Sequence, residues 1–193
     1  MLCAVACGGA GKLPGAIEPP IAEAPAVGDR ATADPTVGAF EWSPDRKLAW
    51  SDFQGPPDLA SDAAALTAYV VSYDTSCTGN RFTATVVTRF LPRVSWVKSR
   101  HLLDRQSAQT LQHEQTHFDL SEVQARRARR ALQALPNACS LEDAELDRLF
   151  DQFGVADAEI QQQYDRETGN GTNAARQREW DARVEQWLRD LPR

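Results

Sequence analysis

The amino-acid sequence predicts an α+β fold, in which an N-terminal antiparallel sheet packs on a C-terminal set of about three helices. Between residues 40 and 96, short runs of β-branched and aromatic residues alternate with turn signals, which is typical of strands. After residue 99 the apolar residues recur at helical spacing nearly to the end of the chain. With 193 residues the chain can form one domain with a well-developed core, which we expect to span residues 40–193.

Two strands are the clearest part of the predicted sheet. They span residues 66–73 and 81–90, and the short turn between them suits an antiparallel hairpin. In the second strand, alternate residues form a face suited to burial. The residues on that face are Phe82, Ala84, Val86, Thr88 and Phe90.

The helical half divides into three segments. The first is expected to run from about residue 99 to Leu135, because Pro136 stops it. Ser140, with acidic residues just after it, is a good start for the second helix, which we expect to be interrupted near Gly154 and to end at Gly169. The third carries an amphipathic stripe that we expect in the core, formed by Trp180, Val184, Trp187, Leu188 and Leu191.

Charge and hydropathy exclude two kinds of partner. The 21 Lys and Arg residues against 27 Asp and Glu give a net charge of -6, which offers no basic surface for a phosphate backbone. We therefore expect no nucleic-acid partner. No stretch approaches the roughly 18 consecutive apolar residues that a membrane-spanning helix needs, so we expect no transmembrane span.

Residues 1–39 have the composition of a truncated signal segment followed by a flexible linker. Small and apolar residues run from Met1 into Cys7 and two glycines, which resembles the end of a bacterial lipoprotein signal and makes Cys7 a candidate for a lipid anchor. The alternative is an unstructured terminus with incidental cysteines. From residue 8 to about 38 the chain is rich in Ala, Pro and Gly and has no apolar periodicity, as in a linker.

Cys77 and Cys139 lie in polar, turn-rich surroundings and are candidates for one disulfide. The alternative is two separate buried thiols. Disulfides persist in oxidising compartments. Together with the lipoprotein-like start, this pair predicts an extracytoplasmic protein of the periplasm or cell envelope.

The segment His113-Glu114-Gln115-Thr116-His117 carries the strongest chemical signal. Four-residue spacing on a helix places the two imidazoles on one face, about one turn apart, so that both can bind one metal ion. Zn²⁺ binds such a pair and lowers the pKa of a bound water towards about 7. Glu114, next to the first histidine, is placed to act as a general base.

Catalytic zinc normally has three protein ligands, so a third must come from elsewhere in the chain. Glu122 would face away from the histidine pair on the same helix. The second helix can face that pair as an antiparallel neighbour, and there we favour Asp165. Glu159 and Glu167 remain alternatives.

Three further residues have candidate roles near the site. Tyr164 continues an apolar face, so it is either a core tyrosine or a phenol that stabilises an oxyanion near the metal. Asp119, like Glu122, is interpreted as an outer carboxylate that orients an imidazole or braces a neighbouring helix. His101 has no partner at ligand spacing and is interpreted as a surface residue.

A set of motifs lies along the chain between residue 42 and about residue 191: residues 48–53, Ser95-Trp96, residues 113–119 with Glu122, residues 164–168 with Gly171, and Gln177 with Trp180. In the order and spacing of these motifs the chain resembles a family of bacterial exported proteins, catalogued as a domain of unknown function and regarded as zinc-dependent proteases. One departure matters, because Asn170 stands where the family pattern has a histidine before Gly171. If that histidine is the family's third ligand, this chain binds metal weakly or uses Asp165 instead.

Two functions are compatible with these residues. The first is a zinc-dependent hydrolase, expected to be a zincin-like peptidase acting on a peptide or protein, with Glu114 as the base. The second is a non-catalytic envelope protein that binds a metal or a peptide on a degenerate protease scaffold. Asn170 favours the second function, and the His-Glu-x-x-His segment favours the first.

Overall fold

A computed structural model describes residues 2–6 and 34–192 and confirms the α+β fold. An antiparallel sheet precedes three long helices and one short one. The strands are β1 (Leu2–Ala6), β2 (Phe40–Glu41), β3 (Ala65–Thr78), β4 (Arg81–Phe90) and β5 (Trp96–Val97), and the helices are α1 (Ser99–Leu102), α2 (Ser107–Gln133), α3 (Asp143–Thr168) and α4 (Ala174–Asp190).

The sheet is built around the predicted hairpin of β3 and β4. Its strand order is β1-β3-β4-β2, with β5 paired to the start of β3. Gly79 and Asn80 form the hairpin turn, and both have positive φ angles, of 56° and 64°, as a two-residue type I′ turn requires. Strand β3 extends beyond its predicted end at residue 73, because the polar residues that follow still pair with β4, up to Thr78 opposite Arg81.

The buried face of β4 packs on α2. Ala84, Val86, Thr88 and Phe90 are all buried, as their alternation predicts. Val86 joins Leu132 of α2 and further residues of α3 in one apolar cluster, and Phe90 joins Phe118 of α2 in another. Helix α2 therefore lies against the sheet along much of its length.

The start predicted for the first long helix is wrong. Residues 99–102 form the separate single turn α1, and α2 begins only at Ser107. Leu103 is 95% exposed, so its helix-like spacing reflects no packing. The end is close to the prediction, since α2 ends at Gln133 just before Pro136.

The start of the second long helix also differs from the prediction. Ser140 belongs to a short 3₁₀ turn, and α3 begins at Asp143 after Glu142, whose carboxylate and that of Glu145 form a capping box. No interruption occurs at Gly154. A glycine inside a helix costs about 1 kcal/mol relative to alanine, and the tertiary packing of α3 against α2 outweighs that cost.

Helix α4 lies beside α2 and α3. Asn173 caps its first turn by accepting a hydrogen bond from the main-chain nitrogen of Arg176. Of the predicted stripe, Trp180 and Val184 are buried and the other three members are partly buried against the same cluster. Within the described part of the chain, no helix combines the length and apolar character that crossing a membrane requires.

A disulfide joins Cys77, near the tip of the hairpin, to Cys139, in the 3₁₀ turn between α2 and α3. The Cα atoms are 5.7 Å apart, which is ordinary disulfide geometry. This bond ties the far end of the sheet to the helices. Cys7 and residues 8–33 of the expected linker lie outside the described residues, so the division at residue 39 stays a prediction.

Candidate metal centre

Two helices bring three possible metal ligands together. His113 and His117 lie one turn apart on α2, both fully buried, with their Nε2 atoms 3.1 Å apart. Asp165 approaches from α3, and its Oδ1 lies 3.2 Å from His113 Nε2 and 3.0 Å from His117 Nε2. We call these three residues the donor group.

The spacing of the donor group suits a metal ion. Zinc binds imidazole nitrogens and carboxylate oxygens at about 2.0–2.2 Å in a tetrahedron, so neighbouring ligand atoms lie about 3.3 Å apart. The three donor atoms are 3.0–3.2 Å apart. The group could therefore hold a metal ion, and two nitrogens with one oxygen are a ligand set that zinc accepts.

A glutamine holds each imidazole on its other nitrogen. His117 Nδ1 lies 2.6 Å from Gln161 Oε1, and His113 Nδ1 lies 3.1 Å from Gln177 Oε1. Because an amide oxygen only accepts hydrogen bonds, each Nδ1 carries a proton and donates it. Nε2 is thereby left as the nitrogen that a metal can bind, as in known sites where ligand histidines donate their second N–H.

When no metal is bound, electrostatics favour a protonated His117. Burial lowers the pKa of His117, but the charge and hydrogen bond of Asp165 and the charge of Glu114 outweigh burial and raise the pKa to about 9. Burial raises the pKa of Asp165, but the charge of His117 and hydrogen bonds from both imidazoles hold it well below its usual range. A metal and this proton therefore compete for the same Nε2.

Glu114, next to His113 on α2, lines an open cleft of about 440 Å³. Its side chain is buried, and its main-chain oxygen accepts a hydrogen bond from Thr67 of β3, which fixes this turn of α2 to the sheet. The cleft is also lined by His113, Asp62 and His101. His101, predicted to be a surface residue, is partly buried at this cleft.

The turn after α3 lies in close contact with His113 of the donor group. Gly171 has a φ of +78°, and a Cβ built on it would lie 2.9 Å from Cγ of His113. Gln109 of α2 donates a hydrogen bond to the main-chain oxygen of Gly171. Asn170 also has a positive φ, of 52°, and lines the cleft.

Tyr164 supports the histidines rather than facing the cleft. Its ring stacks on that of His113 with the centroids 4.6 Å apart. Its hydroxyl lies 2.9 Å from Gln177 Oε1 and 3.3 Å from the main-chain oxygen of His113. This placement does not support the oxyanion role considered for Tyr164. Its hydroxyl contacts Gln177, which binds Nδ1 of His113, and not Nε2, the nitrogen that a metal would bind.

The outer carboxylates brace helices and do not orient an imidazole. Asp119 accepts hydrogen bonds from Trp42 and Gln115, so it fastens the segment before β3 to α2. Glu122 is buried and paired with Arg126 on the same helix, at 2.8 Å.

The alternative third ligands on α3 are not in the donor group. Glu159 is exposed, and Glu167 is exposed and accepts a hydrogen bond from Trp180. The second helix is thus the right source of the third donor, and Asp165 is the residue that it brings to the histidines.

Sequence reasoning missed the two glutamines that contact the histidines and the two aspartates, Asp157 and Asp181, that accept hydrogen bonds from those glutamines. Gln161, Gln177, Asp157 and Asp181 are polar residues at helical positions, and nothing in a single sequence distinguishes them from solvated ones. Their one local signal is spacing, since each glutamine lies four residues from an aspartate on its own helix. Their burial could not be predicted without knowing how the helices pack.

The fold and the donor group define a small α+β protein with a candidate metal site. The family described as "Bacterial protein of unknown function (DUF922)" matches residues 45–171, which is well over half of the chain and includes the whole donor group. The chain belongs to this family. No curated protein and no solved structure matches the sequence of this chain.

Proposed function

We propose that the protein is a zinc-dependent hydrolase, and specifically a peptidase. The observation that carries the proposal is the convergence of His113, His117 and Asp165, with Glu114 next to His113 on α2 and lining the same open cleft as that histidine. Bound zinc would polarise a substrate carbonyl and lower the pKa of a water molecule. This pairing of three zinc ligands with one neighbouring carboxylate is the arrangement that hydrolytic zinc sites use.

The residues of the chain have separate roles in the proposed reaction. Glu114 accepts the proton of the attacking water and returns it to the leaving nitrogen. The donor group would hold the ion, and Gln161 and Gln177 accept from Nδ1 of the two imidazoles, which leaves both Nε2 atoms as the nitrogens that would bind it. Tyr164 packs on the His113 ring and restricts its rotation.

The cleft and the disulfide support the choice of substrate and compartment. A cleft of about 440 Å³ that opens on Glu114 has room for several residues of an extended peptide or a protein loop. The Cys77–Cys139 disulfide favours an oxidising compartment, so we place the protein in the periplasm or cell envelope. A lipid anchor on Cys7 remains part of this proposal.

Zinc content and a Glu114→Gln variant test the proposal together. Protein purified without chelator should contain about one zinc per chain and cleave members of a quenched fluorescent peptide library. Chelation should abolish cleavage, and zinc should restore it. Glu114→Gln should lower the rate by at least about a hundredfold with zinc still bound, because general-base catalysis contributes about 10²–10⁴-fold.

The matched control is Glu159→Gln, which changes an exposed glutamate on α3. It should leave both zinc content and cleavage unchanged. Cleavage that persists in Glu114→Gln, or a wild-type protein that binds no zinc, would contradict the proposal.

A second candidate function is a non-catalytic protein that binds metal or peptide. Asn170 favours it, since this residue lines the cleft where the family pattern has a histidine. Zinc at one equivalent, together with peptide binding but no cleavage of any library member, would support this second function over the first.

A further inference from the structure

The two glutamines that contact the histidines are themselves held by two aspartates. Gln161 donates from Nε2 to Asp157 Oδ1, at 3.2 Å, on α3. Gln177 donates from Nε2 to Asp181 Oδ1, at 2.8 Å, on α4. The structure thus contains two similar relays, His117–Gln161–Asp157 and His113–Gln177–Asp181, and in each the aspartate and glutamine lie four residues apart on one helix.

The orientation of each glutamine amide decides which imidazole nitrogen can bind metal. With Oε1 towards the imidazole, Nδ1 must donate and Nε2 is available to the metal. An amide rotated by 180° would offer its NH₂ group to Nδ1 instead. The neutral imidazole would then carry its proton on Nε2, where it blocks the metal.

A carboxylate only accepts hydrogen bonds, so it holds the amide NH₂ group and excludes the rotated state. Asp157 is buried, and both of its oxygens accept, because the Tyr69 hydroxyl donates to Oδ2 at 2.5 Å. Gln161 also donates to the main-chain oxygen of His117, at 3.0 Å, which favours the same orientation. Asp181 additionally accepts a hydrogen bond from Thr116, at 2.8 Å.

We propose that Asp157 and Asp181 are positioning residues for the metal site, although neither belongs to the donor group. Each acts through its glutamine, fixing one imidazole with Nδ1 as a donor and Nε2 as the metal-binding nitrogen. The inference rests on the proposed zinc site for its affinity readout. The hydrogen bonds of both relays are present in the metal-free protein, so the relays can also be tested without zinc.

Asp157→Asn and Asp181→Asn test the relays, because asparagine can donate as well as accept. Zinc affinity, measured at pH 8 by competition with a chromophoric chelator, should fall about 10–100-fold in each variant. At about pH 10, above the pKa of about 9, the metal-free imidazole of His117 is neutral, and proton–nitrogen NMR should then show an Nδ1–H signal for His117 that Asp157→Asn alone removes. The Nδ1–H signal of His113 should be removed by Asp181→Asn alone.

The controls are Asp151→Asn on α3 and Asp190→Asn on α4, both exposed. They should change neither readout. A double-mutant cycle excludes a general structural effect, because Asp157→Asn should lose its effect on zinc affinity in a Gln161→Leu background. Asp181 is only partly buried, so its variant tests the proposal even if Asp157→Asn does not fold.

The proposal is overturned if either folded variant keeps zinc affinity within about twofold of wild type and retains both Nδ1–H signals. A loss of affinity that persists unchanged in the Gln161→Leu background would also overturn it. A wild-type protein that binds no zinc contradicts only the proposed function, because the NMR signals of the metal-free protein still test the relays.

Discussion

At the scale of single residues, Gly171 shows how closely the turn after α3 is fitted to the donor group. Its positive φ favours glycine, and its Cα faces the His113 ring so closely that a Cβ would lie 2.9 Å from Cγ and 3.0 Å from Cβ of that histidine. The histidine must therefore shift if any side chain is present at residue 171.

Gly171→Ala should weaken zinc binding by at least about tenfold, because a small displacement of one ligand is enough to spoil tetrahedral geometry. Gly79→Ala is the matched control. Gly79 also has a positive φ, of 56°, but a Cβ there would meet nothing within 4 Å. Both variants should lose about 1–2 kcal/mol of stability from backbone strain, and isothermal titration should show weakened zinc binding only for Gly171→Ala. Equal zinc affinities would contradict the close fit.

The raised pKa of His117 predicts that zinc binding releases a proton. With a pKa of about 9 the metal-free imidazole is protonated at pH 7.5, and zinc must displace that proton. Calorimetric titrations in two buffers of different ionisation enthalpy should therefore report about one proton released per zinc. Zinc affinity should rise with pH up to about 9 and then level off.

The same pKa determines how the stability of the metal-free protein depends on pH. Its value is raised above the ordinary 6.5, so the stability contributed by the His117–Asp165 pair is fully present below pH 6.5 and is lost as the pH rises through about 9. Thermal unfolding of metal-free protein should show this decline. A titration that releases no proton at pH 7.5 would show that His117 is neutral before zinc arrives.

The residues that sequence reasoning could reach were those with a local pattern. His113, Glu114 and His117 follow from spacing on one helix, and Asp165 followed from the expectation of an antiparallel neighbour. Gln161 and Gln177 did not follow, because their contacts depend on how α3 and α4 pack against α2. Sequence reasoning left Tyr164 as either a core tyrosine or an oxyanion-stabilising phenol, because its hydroxyl partner, Gln177, lies on another helix.

At the scale of elements, helix existence was easier to predict than helix boundaries. The long helices follow from apolar periodicity, but the start of α2 was misplaced because Leu102 and Leu103 continue that period in sequence while remaining exposed. The start of α3 was misplaced because Ser140 is a good capping residue that lies in a 3₁₀ turn. Gly154 is accommodated inside α3, so local propensity alone gave the wrong answer there.

The Cys77–Cys139 disulfide connects the tip of the β3–β4 hairpin to the 3₁₀ turn between α2 and α3, two parts of the chain that are far apart in sequence. It joins residues separated by 62 positions, so it restricts the unfolded chain strongly. Replacing both Cys77 and Cys139 by serine should lower the free energy of unfolding by about 2–4 kcal/mol, measured by chemical denaturation. Zinc affinity should change little, because the bond lies at the hairpin tip and not at the donor group. No loss of stability would contradict a structural role.

At the scale of the whole molecule, the sheet and three long helices act together to place one site. Helix α2 provides two donors, and it is fixed to β3 through Thr67 and to β4 through apolar packing. Helix α3 provides the third donor, and α4 supplies Gln177. A chain with the same His-Glu-x-x-His segment but another packing of α3 would lack Asp165 at this position, so the site belongs to the fold and not to the segment alone.

We propose that His113, His117 and Asp165 together bind one zinc ion. The most direct measurement is anomalous X-ray diffraction at the zinc edge on crystals of the zinc-loaded protein. We expect one strong peak at about 2.0–2.2 Å from Nε2 of each histidine and from a carboxylate oxygen of Asp165. A peak bound by other residues, or none at this position in a protein that contains zinc, would contradict it.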